Sequence, residues 1–280
     1  MINILRADFY KLFHTKVFYV CTFILVCFVG IMATAYSYVD NMPADKRAAF
    51  EEKAATNSGT GVSLTMSDSV DLSKTYLQSG TRLASDVVQE GSIVIFIIAI
   101  MITIMVGGEF KERTIKSMVA KGYRREHIVL SKMIVSLVSV IVMMVCVFAS
   151  AIVIGGALTG VINDSTSAEL TNQVRCCLGI VTGYLAFTAL YTLLVFVIRN
   201  IEISLIVNIL VIVILPNILS TIESTWKIPF SKIQITTGVQ KIIYSDASTS
   251  ALTHMGILFL GYVIVSTILS CVIFRKADVK

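Results

Sequence analysis

The chain has 280 residues, of which 56% are apolar and only 15% charged, and it carries a formal net charge of +5. Soluble domains run near a quarter charged, so this composition excludes an ordinary soluble globular protein. The apolar residues are also gathered into six uncharged runs: Val17–Val39, Gly91–Gly108, Met133–Asn163, Cys176–Ile198, Ile203–Ile222 and Met255–Phe274. Each is about as long as the roughly 17–25 residues a spanning helix needs. In lipid every backbone group must pair within the chain, so the runs are helices. The expectation is an all-α integral membrane protein with six transmembrane helices, over 17–39, 91–108, 133–158, 176–198, 203–222 and 255–274.

In chain order, Met1–Lys16 reads as an amphipathic helix. Ile2, Leu5, Phe9, Leu12 and Phe13 form its stripe, with Arg6, Lys11, His14 and Lys16 largely off it. Such a helix lies in the membrane interface with its basic face toward anionic headgroups, or else extends the first span; the interfacial reading is preferred. The first run is too long for a cleaved signal peptide, and Asp40-Asn41-Met42-Pro43 offers no small-residue cleavage pattern. It is read as a retained span.

Residues 40–90 form the one sizeable polar segment, expected as an outer loop or cap. Pro43-Ala44-Asp45 opens a helical stretch to about Ala55, Asn57–Gly61 breaks it, and Leu72–Gln89 forms a second helix feeding the second span. The segment Gly107–Lys132 holds seven of the 23 Lys and Arg. Thr114–Ala120 reads as a short helix with Ile115, Met118 and Val119 on one face, and Gly122 stands where a C-cap glycine belongs. On spacing alone two readings stand: a helix that docks on a soluble partner, or a basic loop that only sets topology.

Beyond it, Gly156–Gly160 and Gly179–Gly183 have the Gly-x-x-x-Gly spacing that permits close helix contact. Asn208, Pro216 and Asn217 mark the fifth span, where Pro216 would kink the helix and Asn217 could answer a freed carbonyl. Their roles divide between helix packing and a substrate path. Arg199–Glu202 makes a tight turn. Residues 223–254, with Trp226 and Pro229, form an outer or re-entrant loop, and 275–280 a short tail. Placing both termini inside puts the Lys and Arg excess in the inner loops, as the positive-inside rule requires. The basic residues are spread over membrane-proximal loops, which is no nucleic-acid footprint.

No phosphate-binding loop, zinc-protease helix or nucleophile elbow is present. The three histidines sit in three segments, and the six cysteines fall in or beside spans, so neither a metal site nor a disulfide framework is indicated. With no ionisable residue in mid-span, ion-coupled transport is disfavoured. No catalytic residue is expected, and energy for any transport must come from another chain.

Several of these features resemble the permease subunits of ABC-2-type transporters. Asp8-Phe9-Tyr10-Lys11-Leu12 with Lys16 is similar to the family's elbow helix. Glu109-Phe110-Lys111-Glu112-Arg113-Thr114-Ile115-Lys116, Lys121-Gly122-Tyr123-Arg124-Arg125 and Ser131-Lys132 are similar to its acidic-basic segment, short coupling helix and lysine at the third span. The resemblance implies that Glu109, Glu112, Arg113, Thr114, Ile115, Met118, Val119, Arg124, Arg125 and Lys132 couple the spans to an ATPase. It implies two copies of a cytoplasmic ABC ATPase carrying ATP and Mg, and a second permease, identical or homologous, in a bacterial cytoplasmic membrane. Small Gram-positive permeases of this kind serve in export of, or immunity to, antimicrobial peptides such as lantibiotics. The rival reading is a non-transporting scaffold or sensor with a ligand-binding outer loop.

Overall fold

A computed structural model describes residues 2–41, 79–89, 91–161, 167–226 and 249–276. Among these residues the regular structure is entirely helical: α1 (Ile2–His14), α2 (Lys16–Asp40), α3 (Gly80–Gln89), α4 (Gly91–Lys111), α5 (Thr114–Ala120), α6 (Arg125–Thr159), α7 (Ser167–Ile198), α8 (Ile201–Trp226) and α9 (Thr249–Lys276). Residues 42–78, with the expected helix to Ala55 and the break at Asn57–Gly61, lie outside the described residues, as do 227–248 of the last loop and 277–280 of the tail.

Among the described residues five segments are long and apolar enough to cross a membrane: Lys16–Tyr38, Ile93–Lys111, Arg125–Thr159, Glu169–Ile198 and Gly256–Arg275. Helix α8 runs through Ile201–Trp226, with Ile201–Ile214 a shorter apolar stretch. Two helices start earlier than their apolar runs. Helix α6 begins at Arg125 rather than Met133, because its polar first turns find partners and Glu126 there complements the helix dipole. Helix α7 begins at Ser167 rather than Cys176. Ala168, Glu169 and Leu170 are capable helix residues, and Glu169 lies in the first turn.

Helix α6 is central, packing on α1, α2, α3, α7 and α9, while α4 packs on α2, α7 and α8. The core includes Ile98, Met101 and Ile102 of α4, Met143 and Val147 of α6, and Tyr184, Tyr191 and Phe196 of α7. Large apolar side chains also point outward along α2 (Tyr19, Phe23, Ile31), α8 (Ile203, Ile206, Leu210) and α9 (Ile257, Leu260, Ile264). Apolar surface on that scale marks a lipid or protein contact rather than water.

Helix α3 is the described part of the segment read as an outer loop or cap. It is sunk into the bundle, with Ser79, Leu83, Ala84 and Val87 buried. Gly80 rests directly on α6. A Cβ on Gly80 would lie 2.5 Å from the Ile152 carbonyl oxygen, and one on Gly155 would lie 2.7 Å from Gly80 Cα. The close contact is therefore made by Gly155. Gly160, expected as half of a Gly-x-x-x-Gly contact, has nothing within 4 Å of its Cβ position. It takes φ +71° and ends α6 as its C-cap, a conformation in which only glycine is unstrained. Gly179 and Gly183 are buried in α7.

Candidate functional site

The ends of α4, α7 and α9 and the beginning of α6 meet at one end of the bundle, where α1 also packs. Helix α4 stops there because Arg113 takes φ +58°, a left-handed conformation that is costly for a residue with a side chain. The Glu112 amide donates to the Gly108 carbonyl at 2.9 Å and the Arg113 amide to that of Phe110 at 3.3 Å. Helix α5 follows, as its apolar spacing and Gly122 predict. Gly122 has φ +82°, its amide donates to Val119 at 3.0 Å, and the Tyr123 amide reaches Met118 at 3.3 Å. This is a Schellman end, after which Arg124 leads into α6.

Helix α5 is thus slung between two stems, α4 and α6. Its apolar face is turned toward its own bundle: Ile115 is 1% exposed, and Met118 and Val119 are half-buried against the same core. Lys116, Ser117, Ala120 and Lys121 face outward.

The stems are clamped by a buried ionic joint. Lys132, two turns into α6, is 3% exposed. Its ammonium donates to Oδ1 of Asp8 on α1, and lies 2.6 Å from both carboxylate oxygens of Glu109 on α4, donating to Oε1. The Ser131 hydroxyl donates to Oδ2 of Asp8 at 2.6 Å. Lys11, half-exposed, stands 3.3 Å from Glu109 and 3.4 Å from Glu112. Burying an ion costs several kcal/mol unless it is paired. Two buried carboxylates face one buried ammonium, and Lys11 supplies the second positive charge from the rim. The joint fastens α1, α4 and α6 to one another at the point from which α5 hangs.

A second knot ties the same end of α4 to the far side of the bundle. The Phe110 ring stands edge-on to Phe196 of α7 at 5.6 Å and to Phe274 of α9 at 6.4 Å, and those two rings meet at 5.6 Å. Arg125 Nη1 donates to the Arg275 carbonyl at 3.2 Å, satisfying an orphan acceptor at the end of α9. Arg275 and Glu126 form a loose exposed pair at 3.8 Å.

Of the coupling residues expected from sequence, Glu109 and Lys132 are brought into contact. Ile115 is sealed inside, and Thr114, Met118 and Val119 are half-buried. Arg125 caps α9, while Glu112, Arg113 and Arg124 stand on the surface. Asp8 joins the site without being among those coupling residues. It shares the buried face of α1 with Ile4 and Leu12, at four-residue steps. That face is rotated from the stripe read in the sequence, of which Leu5 and Phe9 are half-buried and Phe13 is 44% exposed. Asn208 binds α8 to α4, its Nδ2 donating to Thr103 Oγ1 at 2.7 Å with both residues fully buried. Its Oδ1 finds no hydrogen-bond partner among the described residues. The side chains of Pro216 and Asn217 lie outside the described residues.

A helical bundle coated in apolar side chains, with several helices long and apolar enough to cross a membrane, is a multi-pass membrane protein. The family model of the ABC-2 family transporter proteins matches residues 2–279, and the chain belongs to that family. Its members are membrane-spanning transport subunits that lack ATPase motifs and work with separate ATPase subunits. Among curated proteins none matches the chain significantly.

Proposed function

We propose that this chain is the permease half of an ATP-driven exporter, moving an amphipathic peptide, drug or lipid-like substrate, with export of or immunity to an antimicrobial peptide as the specific role. In this reading α8 is the fifth of six spans, α1 is an interfacial elbow, and α1, α5 and the end of α9 are cytoplasmic. Two ATPase subunits and a second permease, identical or homologous, complete the transporter.

The observation that carries the reading is the Asp8–Lys132–Glu109 joint. A push on α5 by an ATPase reaches α4 and α6 through its two stems. Because Lys132 grips both Glu109 and Asp8, those stems and α1 move together rather than bending separately. Phe110 passes the displacement to α7 and α9. Among the described residues the buried charged side chains are Asp8, Glu109 and Lys132, and they pair with one another. The interior described thus offers no charged relay of the kind an ion-coupled carrier uses, which favours an external ATPase as the energy source.

Purification of the full-length protein from its native membrane tests this. The expected result is a stoichiometric phosphate-loop ATPase subunit whose hydrolysis is stimulated by an amphipathic peptide. A chain that purifies without any ATP-binding subunit would support the scaffold reading instead.

A further inference from the structure

We propose that the outward face of α5 and the turn after it bind an acidic, largely polar surface on the partner; this rests on the reading of that partner as an ATPase. Lys111, Arg113, Lys116, Lys121 and Arg124 are all exposed, and among the described residues no carboxylate lies within ion-pair distance of any of them. The two acids of the same stretch are already engaged by cations from other elements, Glu112 by Lys11 and Glu126 by Arg275. The surface is therefore strongly positive and uncompensated, and complementary charge is what selects a partner and speeds its approach.

Its apolar content is small. The Ile115, Met118 and Val119 face rests on the chain's own core, and among the described residues of this patch Tyr123, 41% exposed, is the one large ring offered to a partner. A matching groove is lined by Asp and Glu with one shallow seat for a tyrosine, rather than being a hydrophobic slot. A membrane surface is the other acidic partner to consider, and the contrast with α1 argues against it. There Arg6 and Lys16 are exposed beside Tyr10, Phe13 and Tyr19, the mixture of cations and rings that inserts at the headgroup boundary. Among the described residues the α5 patch offers Tyr123 alone, against three such rings there.

The test uses the full-length protein, its six native cysteines replaced, with an environment-sensitive dye at Ser117→Cys in nanodiscs. It is titrated with the purified ATPase subunit that co-purifies with the permease. The dye is expected to respond to that subunit, with affinity falling at least tenfold as salt rises from about 0.05 M to about 0.5 M. Lys116→Glu with Lys121→Glu should weaken binding about tenfold or more, whereas Lys116→Arg with Lys121→Arg should preserve it. Binding insensitive to salt and to charge reversal would overturn the acidic-groove inference and leave the permease reading intact. A dye response to phosphatidylglycerol in the nanodisc, with none to the ATPase, would assign the patch to the membrane and likewise overturn it. If no ATPase subunit binds the wild-type protein at all, the inference falls together with the permease reading.

Discussion

Glu109 and Phe110 are consecutive residues in the last turns of α4, and they engage opposite halves of the bundle. Glu109 joins Lys132 of α6 and Lys11 of α1, while Phe110 sets its ring against Phe196 of α7 and Phe274 of α9. Successive residues of a helix diverge by about 100°, so one turn of α4 grips an ionic cluster on one side and an aromatic cluster on the other. Whatever displaces α5 meets both through this turn.

Phe110→Ala should therefore separate attachment from transmission. Losing a half-buried ring and its edge-to-face contacts costs about 2 kcal/mol, which a bundle of this size tolerates. ATPase binding should persist, because the outward face of α5 is untouched, while substrate-stimulated hydrolysis should fall several-fold. Pull-down and hydrolysis on the same preparation decide it. Wild-type values for both would show that the aromatic knot is packing only.

The charge cluster predicts unequal outcomes for neighbouring substitutions. Lys132→Met leaves Asp8 and Glu109 buried together without their shared cation, and an uncompensated buried charge costs roughly 3–5 kcal/mol. Asp8→Asn leaves the Lys132–Glu109 pair whole and an acceptor near Ser131, so its cost is about 1 kcal/mol. Adding Asp8→Asn to Lys132→Met should then restore part of the lost stability rather than add to the damage. Thermal unfolding of the four proteins in one detergent measures this. Additive losses in the double variant would mean that the two side chains are not electrostatically coupled.

Glycine substitutions should divide by place. Gly80→Ala puts a Cβ against the backbone oxygen of Ile152, which cannot swing aside as a side chain would. Lifting α3 off α6 should cost about 1–3 kcal/mol. Gly30→Ala in α2 meets nothing within 4 Å and removes backbone freedom from the unfolded chain, so it should stabilise by about 0.5 kcal/mol. Opposite shifts in unfolding temperature are expected, and a loss at Gly30 equal to that at Gly80 would contradict the close contact.

Much of this architecture is legible in the amino-acid sequence. Five of the six apolar runs coincide with helices long and apolar enough to span, because lipid leaves a helix no alternative. The run at 203–222 falls on α8, whose apolar stretch Ile201–Ile214 is shorter. Thr114–Ala120 has the same bounds in its residue spacing, with Gly122 after it, as in the folded chain. The polar helix ends are not legible from hydropathy, since Arg125–Lys132 is helical through partners on other elements and Ser167–Arg175 through helix-forming residues and an acid in the first turn, none of which an apolar run reveals. The direction of α5 is not legible either. Ile115, Met118 and Val119 do make one face, but periodicity does not say whether that face seeks a partner or its own chain. The Asp8–Lys132 pair, separated by more than a hundred positions, depends on tertiary placement, and Asp8 lies off the apolar stripe read for α1, whose Phe13 is exposed while Ile4 is buried. A charge placed at Met118 would disturb the seat of α5 as well as any outer contact, so Ser117, fully outward, is the cleaner probe.

Arg113→Gly should relieve the left-handed strain between α4 and α5, worth about 1 kcal/mol, while removing one cation of the exposed patch. The variant is expected to unfold at a higher temperature than wild type yet to bind the ATPase more weakly. Unfolding and binding measured together would register shifts in opposite directions. Tighter ATPase binding would argue that this arginine opposes docking.

What touches α5 in the cell decides whether it is a coupling helix. With the native cysteines replaced, Ser117→Cys in intact cells should be protected from membrane-impermeant thiol reagents and should cross-link to the ATPase subunit, with a yield that changes when ATP is trapped by vanadate. Labelling of Ser117→Cys from outside the cell, or its failure to cross-link in a complex that still hydrolyses ATP, would contradict it.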